Sequence, residues 1–362
     1  MVPLRDCDGC SALASRLVRE KVAPVATAGW AARRADGRWE LSAGGATGAF
    51  FDLASVTKPM TALAVARGSL HKKTLGSLLP AAHGTPSETS TLELLLAHRA
   101  GLEANLPLFA PLAAGRKVDV SEALTEAARA RRPDCRGAIP PEGFAPLYSD
   151  LGYLLAGQAL AAATKARDAG EAIERLVVAP LGVAEELGTA RSLEALGARA
   201  RFAERVVATE VVAWRGGEVR GRVHDENAFA LTGDGGSGHA GMFGTVGAVL
   251  AFGVAALEAI DRGRGALGTD DDLDWVVRPR QGGTLRAGFD GKTDGASMAG
   301  TRCGPRTFGH LGFTGTSLWI DPDAEAVVVL LTNRVHPTRD NTAIRAARPL
   351  AHDALFALAL GG

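Results

Sequence analysis

Two residue types that can carry acyl-transfer chemistry lie three positions apart in this chain. Ser55 and Lys58 share the stretch 54–59, which precedes an apolar run over 60–66. If a helix begins at Thr57, both side chains lie on one face of its first turn. A serine there is also surrounded by unpaired backbone N–H groups, which stabilise an anion. The pair predicts a nucleophile, although a capping serine followed by a solvated lysine fits the isolated motif better.

A tyrosine follows at a predicted junction between a loop and a helix. Within residues 147–155, Ser149 or Asp150 caps a helix that runs to Leu160, because both residue types are favoured at helix N-termini. This arrangement projects the phenol of Tyr148 from the preceding loop. Taken alone, Tyr148 fits equally well as a packing residue whose hydroxyl has a hydrogen-bond partner.

Several histidines are weaker candidates. His98 ends a short predicted helix and could act as a base, but a histidine at this position more often interacts with the last carbonyls of the helix. His224, Asp225 and His239 lie in or near a glycine-rich segment, 232–247, that we interpret as a tight loop with unusual backbone angles. Their spacing matches no metal signature, so we expect neither a metal nor another cofactor.

Hydrophobic periodicity and turn residues place strands at both ends of the chain and helices in its middle. The predicted elements are a helix over 11–21, strands over 25–32 and 39–42 joined by a turn at Asp36 and Gly37, a mostly helical region over 55–262, a loop-rich region over 264–304, strands over 307–320 and 326–332, and a helix over 342–360.

Composition narrows the possible functions. The 362 residues are 46% hydrophobic, and 40 basic residues balance 40 acidic ones, so we expect a large core and no nucleic-acid partner. No apolar stretch is long enough to span a bilayer. Residues 1–10 lack the apolar core of a secretory signal, which predicts a cytoplasmic protein as given, or a periplasmic or secreted one if a leader was trimmed. We expect Cys7 and Cys10 to be free thiols in a flexible tail.

Three short motifs in this order resemble the serine β-lactamase and penicillin-binding protein superfamily. They are S-x-x-K at Ser55 and Lys58, Y-x-N at Tyr148 to Asp150, and K/H-x-G at His310 and Gly312. Segments 94–102 and 223–243 look like the LLxHxSGL and VHDxNA…GHAGLF stretches of its class C β-lactamase-like branch, which includes esterases, D-aminopeptidases, D-alanyl-D-alanine carboxypeptidases and penicillin-binding protein 4B-like members.

The resemblance implies an α/β (α+β) fold in which helices flank an antiparallel sheet and a mainly helical sub-domain is added. It implies one catalytic domain over 1–362, with a sheet sub-domain from about 1–55 and 300–362 and a helical sub-domain from about 56–299.

The resemblance also implies roles for individual residues. Ser55 attacks a carbonyl, Lys58 takes its proton if burial lowers the lysine pKa, and Tyr148 passes the proton to the leaving group. Backbone N–H groups of Ser55 and Phe313, the latter following Gly312, hold the oxyanion.

Two positions on the substrate side depart from the usual pattern. His310 replaces a common lysine, and as a part-time cation it would bind a substrate carboxylate best at mildly acid pH. Asp150 replaces asparagine, and if it lies close to Lys58 its charge favours the ammonium and opposes the role of base.

We therefore expect a serine acyl hydrolase that acts on an ester or on a D-amino-acid amide or peptide. One alternative is a penicillin-binding protein or weak β-lactamase that acylates and turns over slowly, and another is a non-catalytic scaffold. The expected partner is a small-molecule ester, β-lactam or D-amino-acid peptide, without nucleic acid or a membrane span. The sequence leaves the oligomeric state open.

Overall fold

The computed structural model describes residues 2–269 and 272–361. In this part of the chain the strands are β1 (Leu4–Asp6), β2 (Ala26–Arg33), β3 (Trp39–Gly45), β4 (Phe51–Asp52), β5 (Leu187–Thr189), β6 (Ala208–Val212), β7 (Gly217–Arg220), β8 (Met242–Gly244), β9 (Asp290–Gly291), β10 (Phe308–Leu311), β11 (Ser317–Asp321) and β12 (Ala326–Thr332).

The α-helices of the same part are α1 (Asp8–Arg19), α2 (Thr57–Arg67), α3 (Leu75–Leu78), α4 (Leu92–Leu96), α5 (Ala110–Ala113), α6 (Val120–Arg129), α7 (Asp150–Thr164), α8 (Ala169–Ile173), α9 (Ala179–Leu181), α10 (Ala190–Ala195), α11 (Phe202–Arg205), α12 (Glu226–Thr232), α13 (Val246–Arg262), α14 (Asp274–Val277) and α15 (Ile344–Leu360). A 3₁₀ turn, Ala54–Val56, leads into α2.

The main sheet has seven strands in the order β1-β3-β2-β12-β11-β10-β9. All neighbours are antiparallel except the edge strand β1, which runs parallel to β3. Small sheets β4-β8-β5 and β6-β7 lie elsewhere in the chain. The predicted antiparallel sheet is confirmed, with one parallel strand added at its edge.

Helices cover both faces of this sheet. Side chains alternate between the two faces of a strand. On β12, Val328 and Leu330 join the apolar cluster that contains residues of α1 and α15. Val327 and Val329 join the larger cluster that contains residues of α13. Since every residue of β12 is buried, its continuous Val and Leu run reflects burial on both faces.

Helix α2 lies inside the helical part of the molecule. All of its residues except the last, Arg67, are buried, and most of them are apolar, as expected for a helix in the core of a large protein. Its buried side chains share one core with residues of α4 and α7. The residues just before α2 are therefore attached to a rigid, fully packed element.

Two local predictions were wrong. Residues 307–320 form the hairpin of β10 and β11 instead of one strand, because Gly315 has a left-handed φ of 107° and Gly312 N–H bonds the carbonyl of Thr316 at 2.7 Å. Cys7 does not lie in a flexible tail. It caps α1, and β1 just before it pairs with β3.

Helix α13 packs on the sheet, although it lies within the predicted helical sub-domain. The sub-domain boundaries near residues 55 and 300 stay a prediction. Among the described residues, no helix combines the length and hydropathy needed to cross a membrane.

Candidate active site

Ser55 lies in the 3₁₀ turn between β4 and α2, where the backbone bends sharply. Ala54 has φ of 47°, a left-handed conformation that is uncommon for residues other than glycine. The buried carboxylate of Asp52 holds this bend, because it accepts hydrogen bonds from the backbone N–H groups of Ala54 and His224, both at 2.8 Å. The serine is thus held at the N-terminal end of the rigid helix α2.

Lys58 is fully buried one turn after the serine. Its Nζ lies 2.9 Å from Ser55 Oγ and 2.6 Å from Asp150 Oδ1, so the predicted proximity of serine and lysine is present. Burial by itself lowers the lysine pKa, but the charge of Asp150 and its hydrogen bond to the ammonium outweigh burial, and the pKa of Lys58 is raised. The condition placed on Lys58 as a base, that burial lowers its pKa, is not met, and the expected effect of a nearby Asp150, which favours the ammonium, is present.

Tyr148 completes this group. Lys58 Nζ lies 4.7 Å from the centre of its ring, Ser55 and Tyr148 line the same cleft, and both Lys58 and Ser55 are close enough to act on the pKa of the phenol. Burial raises the pKa of Tyr148 despite the attraction of the lysine, so the side chain is a neutral phenol at pH 7. The structure therefore brings Ser55, Lys58 and Tyr148 together.

His98 supports the loop that carries the tyrosine. Its ring stacks on Tyr148 with 4.7 Å between ring centres, and its Nδ1 accepts the backbone N–H of Ser149 at 2.9 Å. Burial and the nearby charge of Lys58 hold its pKa well below the ordinary value. A neutral, hydrogen-bonded histidine in this place orients Tyr148, a role that the sequence did not indicate.

The turn between β10 and β11 forms the opposite side of the site. Gly312 and Phe313 line the same cleft as Ser55. Thr316 Oγ1 donates to the carbonyl of Leu53 at 2.9 Å, which ties the turn to the segment before the serine. A Cβ on Gly312 would collide with the Thr316 hydroxyl and lie 2.6 Å from the Leu53 carbonyl oxygen, so only glycine fits this position.

His310 is buried on β10 near the tyrosine, with 6.0 Å between the two ring centres. Its Nδ1 lies 2.8 Å from the carbonyl oxygen of Leu311, and since a carbonyl only accepts, Nδ1 carries the proton. Burial, followed by repulsion from Lys58, lowers the pKa of His310 to about 3. The expectation of a part-time cation at mildly acid pH is therefore wrong, because the ring is neutral there.

Sequence reasoning missed four arginines that line this cleft of about 460 Å³: Arg334, Arg339, Arg345 and Arg348. Arg339 forms ion pairs with Glu210 at 2.6 Å and Glu226 at 2.5 Å. The other three form no ion pair with an acidic residue in the part of the chain that the structure describes. The spacing of Arg345 and Arg348 was a usable signal, since residues three apart share a helix face.

The groups considered for metal binding take part in hydrogen bonds. His239 Nε2 lies 2.8 Å from Asp225 Oδ1, and Ser237 Oγ lies 3.0 Å from His239 Nδ1. His224 Nε2 lies 2.8 Å from Glu210 Oε2. The bond of His239 joins the glycine-rich loop to the start of α12, which Asp225 caps, and the bond of His224 reaches Glu210 on β6.

The sequence is similar to known proteins over most of its length. The profile of the family described as Beta-lactamase matches residues 15–352. A protein of Escherichia coli (strain K12) with the name "Putative D-alanyl-D-alanine carboxypeptidase" is 27% identical over 319 residues, which are 80% of this chain and 70% of that protein.

Solved structures show the same fold. One is EstCE1, described as a hydrolase with promiscuous acyltransferase activity, with a TM-score of 0.66 at 19% identity over 96% of this chain and 97% of that one. Another is a class C beta-lactamase from Rhodobacter sphaeroides, with a TM-score of 0.64 at 15% identity over 97% of this chain and 99% of that one. The predicted β-lactamase-like fold is confirmed.

Proposed function

The chain belongs to the beta-lactamase family, a family of serine hydrolases, and on that premise we propose that it hydrolyses an ester or a D-amino-acid amide or peptide through an acyl-enzyme on Ser55. The observation that carries this proposal is the grouping of three side chains: Lys58 Nζ lies 2.9 Å from Ser55 Oγ and 4.7 Å from the ring centre of Tyr148, which lines the same cleft as the serine. An alcohol is a weak nucleophile at neutral pH, so it needs groups within hydrogen-bond reach that move its proton.

Lys58 is the proposed base. Its raised pKa means that the lysine must first lose a proton, and the fraction of neutral lysine then grows as pH rises. The neutral amine takes the proton of Ser55 while Oγ forms a bond to the substrate carbonyl carbon. The neutral phenol of Tyr148 gives its proton to the leaving group and regains one from Lys58.

The negative charge that develops on the carbonyl oxygen needs donors that are already in place. We assign them to the backbone N–H groups of Ser55 and Phe313. The first lies near the N-terminal end of α2, and the second lies in the turn that Thr316 ties to the segment before the serine. Donors fixed in this way lower the barrier, and loss of one typically costs about 3 kcal/mol.

Arg345 gives the cleft a preference for substrates that carry a carboxylate. It is exposed at the start of α15 and lines the same cleft as Ser55, and it has no acidic partner among the described residues. The neutral His310 supplies no cation. A peptide with a free C-terminal carboxylate therefore fits the cleft better than a neutral ester does.

Slow turnover after acylation is the second candidate. The ion pair with Asp150 keeps Lys58 protonated, and a protonated lysine is a poor base for the water that releases the acyl group. On this reading, the protein binds penicillin covalently and releases it slowly.

One experiment separates these functions. The wild-type protein is incubated with a short-chain p-nitrophenyl ester, a D-alanyl-D-alanine peptide or benzylpenicillin, and both turnover and intact mass are followed. Turnover without a lasting adduct supports hydrolysis, and a lasting penicillin adduct supports the second candidate. Ser55→Ala should remove both signals, whereas Ser77→Ala, at an exposed serine, should keep them. Full turnover by Ser55→Ala would refute the proposal.

A further inference from the structure

Arg348 connects helix α15 to the turn that carries Phe313. The side chain is buried, with 8% of the residue exposed. Its Nη2 lies 2.6 Å from the carbonyl oxygen of Gly312 and 3.0 Å from that of Thr316. Burial and the neighbouring Arg334 lower its pKa to about 10, so the guanidinium keeps its charge at pH 7.

The carbonyl of Gly312 and the N–H of Phe313 belong to the same peptide group. The charged guanidinium that donates to the carbonyl oxygen of Gly312 draws electron density toward that oxygen. The N–H of the same peptide group becomes more positive as a result. Hydrogen bonds to charged groups are shorter and stronger than neutral ones, and linked hydrogen bonds polarise one another. The contact with Arg348 thus makes the N–H of Phe313 a stronger donor.

The same contacts fix the direction of this N–H. Arg334 Nε donates to the carbonyl of Phe313 at 2.8 Å, so a guanidinium holds each of the two peptide groups that flank this residue. The N–H of Gly312 bonds to Thr316 inside the turn. Rotation of either peptide plane would break a hydrogen bond to a buried or half-buried cation, which is costly.

The charge of Arg348 is difficult to explain by packing alone. Burying a cation costs free energy unless a counter-charge or several hydrogen bonds compensate it. In the described part of the chain Arg348 has no carboxylate partner, and its Nε is buried without a hydrogen bond. A neutral donor could close the same turn at lower cost.

We propose that Arg348 is a positioning residue that orients and polarises the peptide group between Gly312 and Phe313, so that Phe313 N–H stabilises the oxyanion formed at Ser55. This inference rests on the proposed function, because it needs an oxyanion in the cleft. Arg348 lies 36 positions from Gly312 in the sequence. The inference adds it to the residues that support acyl transfer at Ser55.

The test compares Arg348→Lys with Arg348→Gln, since both keep a hydrogen-bond donor and only the first keeps the charge. Arg302→Met is the control, because Arg302 is exposed and lies outside the cleft. With a p-nitrophenyl ester we expect Arg348→Gln to lose about tenfold in kcat with little change in KM, a fraction of the loss typical for removing a whole oxyanion donor. Arg348→Lys should retain more of the activity, and the control should retain all of it.

A second readout does not depend on turnover. In the free protein, the amide proton and nitrogen signals of Phe313 should move upfield in Arg348→Gln and less in Arg348→Lys. Equal kcat in both variants, or an unchanged Phe313 signal in Arg348→Gln, would overturn the role of Arg348. Absence of turnover and of any adduct in the wild type would instead contradict the proposed function at Ser55, and with it the oxyanion that this inference needs.

Discussion

Lys58 and Asp150 form an ion pair in which the fully buried ammonium lies 2.6 Å from a carboxylate oxygen whose side chain is 25% exposed. The pair joins the first turn of α2 to the first turn of α7. It compensates the burial of the lysine charge, and for that reason the pKa of Lys58 is raised although burial alone lowers it. Among its neighbours, Asp150 therefore contributes most to keeping the lysine protonated.

Replacing that neighbour should change the pH dependence of the reaction. In Asp150→Asn the attraction that raises the Lys58 pKa is lost while the burial remains. The pKa should fall, and the rising limb of kcat/KM against pH should move to lower pH by about 1–3 units, the usual effect of one nearby opposite charge. Ester hydrolysis measured from pH 5 to 10 checks this.

Asp134→Asn is the control, because it removes a carboxylate from an exposed position. Its profile of kcat/KM against pH should be the same as that of the wild type. A rising limb that stays at the wild-type pH in Asp150→Asn would exclude Lys58 as the group that must be neutral.

The two tyrosines of the chain form a matched pair for a second test. Tyr148→Phe removes the proposed proton donor and should lower kcat by about 10²–10⁴-fold, the range for general acid–base catalysis. Tyr153 is buried, and its hydroxyl donates to the carbonyl of Leu96 at 2.8 Å. Tyr153→Phe should cost about 1 kcal/mol of stability and leave kcat intact. Equal kcat losses in the two variants would argue against a special role for Tyr148.

A third prediction concerns Arg345 and the charge of the substrate. Arg345→Met should raise KM for a peptide with a free C-terminal carboxylate by about tenfold or more, because a hydrogen bond to a charged group contributes about 1.5–3 kcal/mol. KM for neutral p-nitrophenyl acetate should not change. Steady-state kinetics with the two substrates measure both effects, and a parallel rise in both KM values would point to a distorted cleft instead.

A fourth prediction concerns stability in acid. Burial raises the pKa of Glu210, but hydrogen bonds from His224 and Arg339 outweigh this and lower it to about 2. A carboxyl with a folded pKa below its unfolded value stabilises the protein above the unfolded pKa and loses that contribution as pH falls toward the folded one. Glu210→Gln should therefore cost up to about 3 kcal/mol at pH 7.

Urea denaturation of both proteins between pH 7 and pH 3.5 tests this. The stability difference between them should begin to shrink below about pH 4.5, where the unfolded carboxyl becomes protonated. A difference that is constant over the whole range would show that the charge of Glu210 does not stabilise the fold.

The parts of the site that sequence could predict are local. Ser55 and Lys58 meet because they lie one helical turn apart, and Ser149 caps α7 as its residue type suggests. The pairing of Lys58 with Asp150 spans 92 positions, so it depends on how α2 packs against α7. The neutral state of His310 follows from its burial, which a sequence does not show.

The sequence predicted strands correctly where the apolar residues and the turn residues follow a regular pattern. The apolar run of β12 and the turn residues between β2 and β3 gave the correct elements. The hairpin of β10 and β11 was missed because the Gly and Thr residues of its turn also occur in strand edges. The contact between Arg348 and Gly312 could not be predicted from the sequence. Arginine is usually exposed on a helix, and this one is buried only because α15 packs against the turn between β10 and β11.

Neighbouring strands β2 and β12 also determine when the main sheet can assemble. Val25, just before β2, bonds Asn333, just after β12, across 308 positions of sequence. On the ribosome, β2 must wait for the synthesis of about 300 further residues before its partner at the centre of the sheet emerges. Contacts at such long range slow folding and leave apolar strands exposed to aggregation in the meantime, so yield during expression should depend on chaperones that shield the nascent chain.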